Sequence, residues 1–207
     1  MATRVNMRGF AMKPAVRQIL RLSTNSLEQP GKRIENDYRQ GAVDGACWLR
    51  KPGPNSNAVI ACQGAIAPEA ICATGFAGEA RRDAGVLAVT SADRLNTGWT
   101  AAQRARSQGI ADAHSCAERL LAGLPPSCKL VTVTDGHPAT LSWSGSVSSH
   151  QVVSLGVGLF GQTGTIGDLY RHKGVDAESI VKRVDKLTSG KPIGRRHSTA
   201  GDSRAVA

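Results

Sequence analysis

The chain is poor in aromatic residues, has no paired cysteine spacing and has no long apolar run. Phe, Trp and Tyr make up 4% of its 207 residues. The core must therefore be assembled from Ala, Val, Ile and Leu, with many small side chains among them. Of the five cysteines, Cys47, Cys62, Cys72, Cys116 and Cys128, no two stand in CxxC or zinc-site spacing. Cys62 falls in an apolar run, and Cys72 and Cys116 fall in helical stretches. The expectation is buried, reduced thiols and a cytoplasmic protein. No segment approaches the roughly 20 apolar residues of a membrane span. The N-terminus has basic residues but no apolar segment behind them, so no secretory signal is expected. A phosphate-binding GxxxxGK[ST] loop and a GxSxG nucleophile elbow are both missing.

What is present is an apolar fraction of 41%, suited to a globular chain, and a net charge of +10. The charge is unevenly placed. Met1 to Pro30 carries +4, Lys182 to Ala207 carries +5, and the residues between carry only +1. Basic ends flanking a neutral middle read as solvated tails rather than a recognition surface. No aromatic residues interleave with the basic ones of the C-terminal tail, so a base-stacking platform is missing. Membranes are not expected partners, and binding of nucleic acid or another anionic surface through the basic ends is the weakest of the alternatives.

Along the chain, residues 1–18 show no period and read as poorly ordered. Val16 to Ser23 alternates as a short strand with no partner nearby. Asn36 to Trp48 reads as a helix-like or irregular connector, and KPGPNSN (Lys51 to Asn57) marks a boundary. Four apolar runs then read as buried strands: Ala58–Cys62, Val86–Thr90, Leu130–Thr134 and Gln151–Val157. Between and after them, helices are expected from Pro68 to Ala80, from a Thr100 cap to Gln108, and from a Ser115–Glu118 capping box onward. Further helices are expected from Pro138 to Ser149, Thr165 to His172 and Asp176 to Lys186. Short apolar strands alternating with helices predict an α/β domain whose sheet is covered on both faces.

Two places could carry chemistry. Asp135, Gly136 and His137 form a turn at the C-terminal end of a strand, where open α/β sheets hold their ligands. Asp135 and His137 there are either an acid/base pair or a turn-shaping carboxylate beside a surface or interface histidine. Gly158, Gly161 and Gly164 form a GxxGxxG loop around Gln162. Its spacing departs from the dinucleotide fingerprint, which leaves a loop that needs positive φ. Ser142, Ser144, Ser146 and Ser148 read as helix-face packing. His114, His150 and His172 read as isolated surface or capping residues.

Several blocks resemble one family: LRLSTNSLEQP (Leu20 to Pro30), GPNSNAVIACQGAIAPEAI (Gly53 to Ile71), LAVTSADRLNTGWTAAQRAR (Leu87 to Arg106), VTVTDGHPATLSW (Val131 to Trp143) and GQTGTIGDLYRHKGVDAESIV (Gly161 to Val181). Their wording, order and spacing are similar to the C-terminal part of the transketolase-type pyruvate dehydrogenase decarboxylase component. The resemblance implies a three-layer α/β/α domain with a mostly parallel, mixed sheet of about five strands. It places that domain at residues 57–184. Residues 19–56 become a remnant strand of a preceding domain plus a linker, and 185–207 a basic disordered tail.

In that family thiamine diphosphate and Mg²⁺ are bound by the two preceding domains. The diphosphate and metal loop of those domains has no match here, nor has the glutamate that activates the aminopyrimidine. The resemblance thus implies a truncated, divergent copy that binds no cofactor by itself and holds no catalytic or metal residue. Asp135, Gly136, His137, Gly161 and Gln162 are then candidate interface or ligand-edge residues. The partners implied are a second copy, a separately encoded chain with the cofactor domains, or the acyltransferase core of a dehydrogenase complex. The Gly75 and Gly78 positions within the helix from Pro68 look unusual, since an interior glycine costs about 0.5–1 kcal/mol relative to alanine.

Overall fold

A computed structural model of the chain describes residues 26, 27, 36–54, 56–80, 84–159 and 161–188. The expected strand at Val16 to Ser23 and most of the basic tail lie outside these residues. Seven α-helices and five strands are described. They are α1 (Asn36–Asp44), β1 (Ala46–Arg50), β2 (Ala58–Gln63), α2 (Ala67–Ala80), β3 (Gly85–Val89), α3 (Ala92–Ser107), α4 (Cys116–Leu121), β4 (Lys129–Thr134), α5 (Ala139–Ser142), β5 (Val152–Leu155), α6 (Ile166–Lys173) and α7 (Ala177–Thr188).

The strands form one mixed sheet in the order β1-β3-β2-β4-β5. β3, β2, β4 and β5 are parallel. β1 closes one edge antiparallel to β3. Alternation along the strands sorts the core into two layers, because successive side chains point to opposite faces. Ile60, Cys62, Val86, Val131 and Val133 meet Ala70, Ala73, Ile180 and Val184 of α2 and α7. Val59, Ala61, Leu87, Val89 and Leu130 meet Leu95 of α3, Leu121 of α4 and Leu141 of α5. The three-layer α/β/α expectation is thus what the chain adopts. The small residues that replace aromatics let α2 lie close to the sheet: Ala58, Ala70 and Ala73 are fully buried.

The fifth strand is the element least visible in advance. ACWLR sits in the stretch read as a connector, yet Ala46 pairs with Val89 and Cys47 with Ala88. It is short, and a register shift between Trp48 and Arg50 breaks its alternation, so the sequence offers little period to detect. At the other end, α7 continues to Thr188, past the boundary drawn at residue 184.

Two helix expectations are corrected. α3 begins at Ala92, not at Thr100. Its cap is Ser91, whose hydroxyl accepts from the Arg94 N–H at 3.3 Å, and burial of Ala92 and Leu95 holds the first turn on the sheet. The helix expected from Pro138 to Ser149 ends at Ser142 and passes into a 3₁₀ turn, Trp143–Ser146. The serine hydroxyls contribute to this. Ser142 and Ser144 donate back to the carbonyls of Ala139 and Leu141, a competition that weakens helices. The Ser115–Glu118 capping box of α4 is present as expected, with both reciprocal bonds formed.

The cysteines and histidines also divide differently. Cys47, Cys62 and Cys128 are buried, but Cys72 is exposed and Cys116 half-exposed. His150 is buried, with Nδ1 3.1 Å from the Cys128 carbonyl oxygen, whereas His114 and His172 are exposed. Gly75 stays helical within α2, and a Cβ there would meet no atom within 4 Å.

Candidate functional site

The sheet order reverses direction at β2. From β2 the chain moves to β3 on one side and later to β4 on the other. The C-terminal ends of β2 and β4 therefore flank the crevice where open α/β sheets bind ligands. Asp135 lies there, directly after β4, and points across to the turn after β2. The Ala65 N–H donates to Asp135 Oδ2 at 3.0 Å. The neighbouring Gly64 has φ +86, and a Cβ on it would collide with the same carboxylate. The half-exposed Asp135 carboxylate thus bridges the turns that follow β4 and β2 at the switch point.

The turn around Asp135 is held on all sides. The Gly136 N–H donates to Thr134 Oγ1 at 3.2 Å. The Gly136 carbonyl accepts from the Val157 N–H at 2.8 Å, tying the turn to the loop after β5. Gly156 permits that approach, since a Cβ on it would stand 2.5 Å from the Gly136 oxygen. His137 is exposed, and its Nδ1 accepts from the Ala139 N–H at 3.2 Å. In the neutral ring the proton is then on Nε2, facing outward from the turn. The geometry fits the turn-shaping alternative for Asp135 and leaves His137 at the surface.

Gly161 and Gln162 lie on the exposed loop before α6. Gly161 has φ +113, which accounts for glycine at that position of the GxxGxxG motif; Gly158 and Gly164 are not in the positive-φ region. The described contacts do not bring Gly161 or Gln162 to Asp135.

Three residues that the sequence reading did not place at this edge approach it. Glu69, in the first turn of α2, accepts from the Ala177 N–H at 2.8 Å and so binds the start of α7. Asp176 caps the same helix through the Ser179 N–H at 3.2 Å. Burial raises its carboxyl, but the hydrogen bonds from Ser179 outweigh that and hold it below the usual carboxylate range. Tyr170 of α6 is half-buried. Its hydroxyl is pushed up by burial first and by the charges of Asp135 and Glu69 second. Only contact across more than 100 positions of chain brings Glu69 to Ala177, which no local pattern signals. Among the described residues no group of three or more His, Cys, Asp or Glu is arranged to hold a metal ion.

No protein-family model matches the chain, and no curated protein matches it. Solved structures do. Transketolase from Leishmania mexicana matches with a TM-score of 0.50 and 20% identity, over 75% of this chain and 20% of that one. Transketolase from Campylobacter jejuni matches with a TM-score of 0.50 and 14% identity, over 77% of this chain and 20% of that one. The fold is one found in transketolases. The chain spans about a fifth of the length of these two transketolases. At the switch point of this transketolase-like sheet the Asp135 carboxylate bridges the turns after β4 and β2, and His137, Gly161 and Gln162 are exposed. No helix among the described residues is long and apolar enough to cross a membrane.

Proposed function

We propose that the chain is the counterpart of the C-terminal domain of a transketolase-type, thiamine-diphosphate-dependent enzyme, with a structural or subunit-interaction role. By this reading its parent enzyme is a pyruvate dehydrogenase decarboxylase component, as the sequence blocks suggest, and the chain does not decarboxylate 2-oxoacids alone. The observation that carries the reading is the Asp135 carboxylate that bridges the turns after β4 and β2 in this transketolase-like sheet. The carboxylate accepts from the Ala65 amide at the strand ends, where open α/β sheets hold their ligands. The same carboxylate would repel a diphosphate. The free thiols support a cytoplasmic location.

The test is turnover by the purified chain with pyruvate, thiamine diphosphate, Mg²⁺ and an electron-accepting dye. No dye reduction above the protein-free rate is expected, and steady turnover would overturn the proposal. A second reading, in which this chain completes an enzyme with a separately encoded chain, is favoured by the exposed Leu159 and Ile166 beside the Gly161–Gln162 loop. It predicts that a polypeptide carrying the cofactor domains co-purifies with this one and turns over only when both are present. Recovery of the free chain alone would contradict it.

A further inference from the structure

Edge strand β1 and helix α4 enclose a groove on the opposite edge of the sheet from β5. Its volume is about 430 Å³, within the range of small-molecule sites. Trp48, Pro52, Leu120 and Leu124 supply its apolar lining. Trp48 is half-buried, and part of it packs against the α3–α4 core layer. Two cations belong to the lining of this open groove. Lys51 is exposed just beyond β1. Arg119 of α4 is steadied by donation from its Nη1 to the His114 carbonyl at 3.0 Å. Asp44 is the one acid in the lining, so positive charge is in excess there. At Gly123 the lining is open: a Cβ would meet no atom within 4 Å, and its φ is not in the left-handed region.

We propose that this groove binds a small amphipathic anion, a flat apolar body bearing one anionic group. The body lies between Trp48 and Leu120, where aromatic and aliphatic surfaces give area without needing hydrogen bonds. The anionic group meets Lys51 and Arg119 at the rim. A neutral ligand of the same shape would gain the apolar contact but leave the cations uncompensated. A cation would be repelled. The site is at a distance from the Asp135 turn in the fold and does not depend on the function proposed above, so either can fail without the other.

The test uses two dyes of nearly the same shape, 1-anilinonaphthalene-8-sulfonate and its uncharged counterpart N-phenyl-1-naphthylamine, titrated into the full chain at physiological salt. The sulfonate should bind saturably at one site. The neutral dye should bind on the order of tenfold more weakly, the usual scale for losing one charge-assisted contact. Gly123→Leu places a side chain in the open part of the groove and should abolish binding of both dyes with the far-UV spectrum unchanged. Arg119→Gln, at an exposed position, should reduce sulfonate affinity to the level of the neutral dye and leave the neutral dye unaffected. It decides the matter if Gly123→Leu does not fold. Equal affinity for the two dyes, or sulfonate binding that neither substitution weakens, would overturn the proposal.

Discussion

Asp135 and Gly64 are matched to each other across the switch point. The carboxylate takes the space that a Cβ on residue 64 would need, and the positive φ of residue 64 aims the next amide, that of Ala65, at Asp135 Oδ2. The two residues are 71 positions apart in the chain, on the turns that end β4 and β2.

This pairing makes a stability prediction. Asp135→Ala leaves the Ala65 N–H without its partner and should destabilise by about 1–3 kcal/mol. Gly64→Ala forces a side chain into the carboxylate at a left-handed backbone position and should cost roughly 1–3 kcal/mol or more. Because the alanine at 135 removes the obstacle, the double substitution should cost clearly less than the two together. Urea midpoints of the four proteins measure this, and strictly additive losses would contradict the geometry.

A second prediction concerns acid. Burial alone would raise the Glu118 carboxyl, but hydrogen bonds from Arg106 and Ser115 outweigh it and hold the group at about 2, against 4.5 for the free side chain. The folded value is the lower one, so the unfolded chain takes up the proton first as pH falls. The stabilisation is complete above about pH 4.5 and is lost as pH drops towards 2. Glu118→Gln should lower stability at neutral pH and flatten its decline over that window. A variant with the same acid profile as the parent would show that the Arg106–Glu118 contact, 2.7 Å long, does not control acid unfolding.

Thiol accessibility is the third. Cys62 is pushed up to about 12, first by burial and further by the nearby Cys47, against the opposing backbone hydrogen bond. At pH 8 in the native chain, Ellman's reagent should label Cys72 rapidly and Cys116 slowly, since burial also raises Cys116. Cys47, Cys62 and Cys128 should react only after denaturant is added. Peptide mapping of the labelled chain identifies each site, and fast labelling of Cys62 would place β2 outside the core.

The fourth concerns packing. An apolar cavity of about 30 Å³ lies under α3, α4 and the 3₁₀ turn, bordered by Leu95, Leu121, Leu141 and Val147. Its two hydroxyls are committed, Thr132 to Ser154 and Ser144 to the Leu141 carbonyl, so no polar group is left to hold water. Val147→Ile adds one methyl group at the half-exposed rim and should raise stability by about 0.5–1 kcal/mol. Leu141→Ala should cost about 2–5 kcal/mol, because it enlarges a space that is already underfilled. Thermal and urea unfolding check both signs.

The four strands from Ala58 onward were legible because they are short uninterrupted apolar runs bounded by turn residues. β1 was not, since its alternation is broken and its partner β3 lies some 40 residues on. The Ser115 cap was legible because its glutamate partner is three residues away. The Ser91 cap has no such partner, since Arg94 stands three residues on, whereas Thr100 has Gln103 at the capping-box spacing. At the candidate site, the sequence located Asp135, Gly136 and His137 at the strand end but left the role of the carboxylate open. Deciding it required the position of Gly64, which only the adjacency of β2 and β4 supplies. The stack of Trp99 on Trp143, 5.6 Å between ring centres, was hidden for the same reason.

We propose that this transketolase-like domain holds no cofactor by itself. Isothermal titration of the purified full chain with thiamine diphosphate in the presence of Mg²⁺ tests it most directly. The account predicts only the heat of dilution, for the parent chain and for Asp135→Ala alike. A saturable heat with a defined stoichiometry in the parent chain would contradict it.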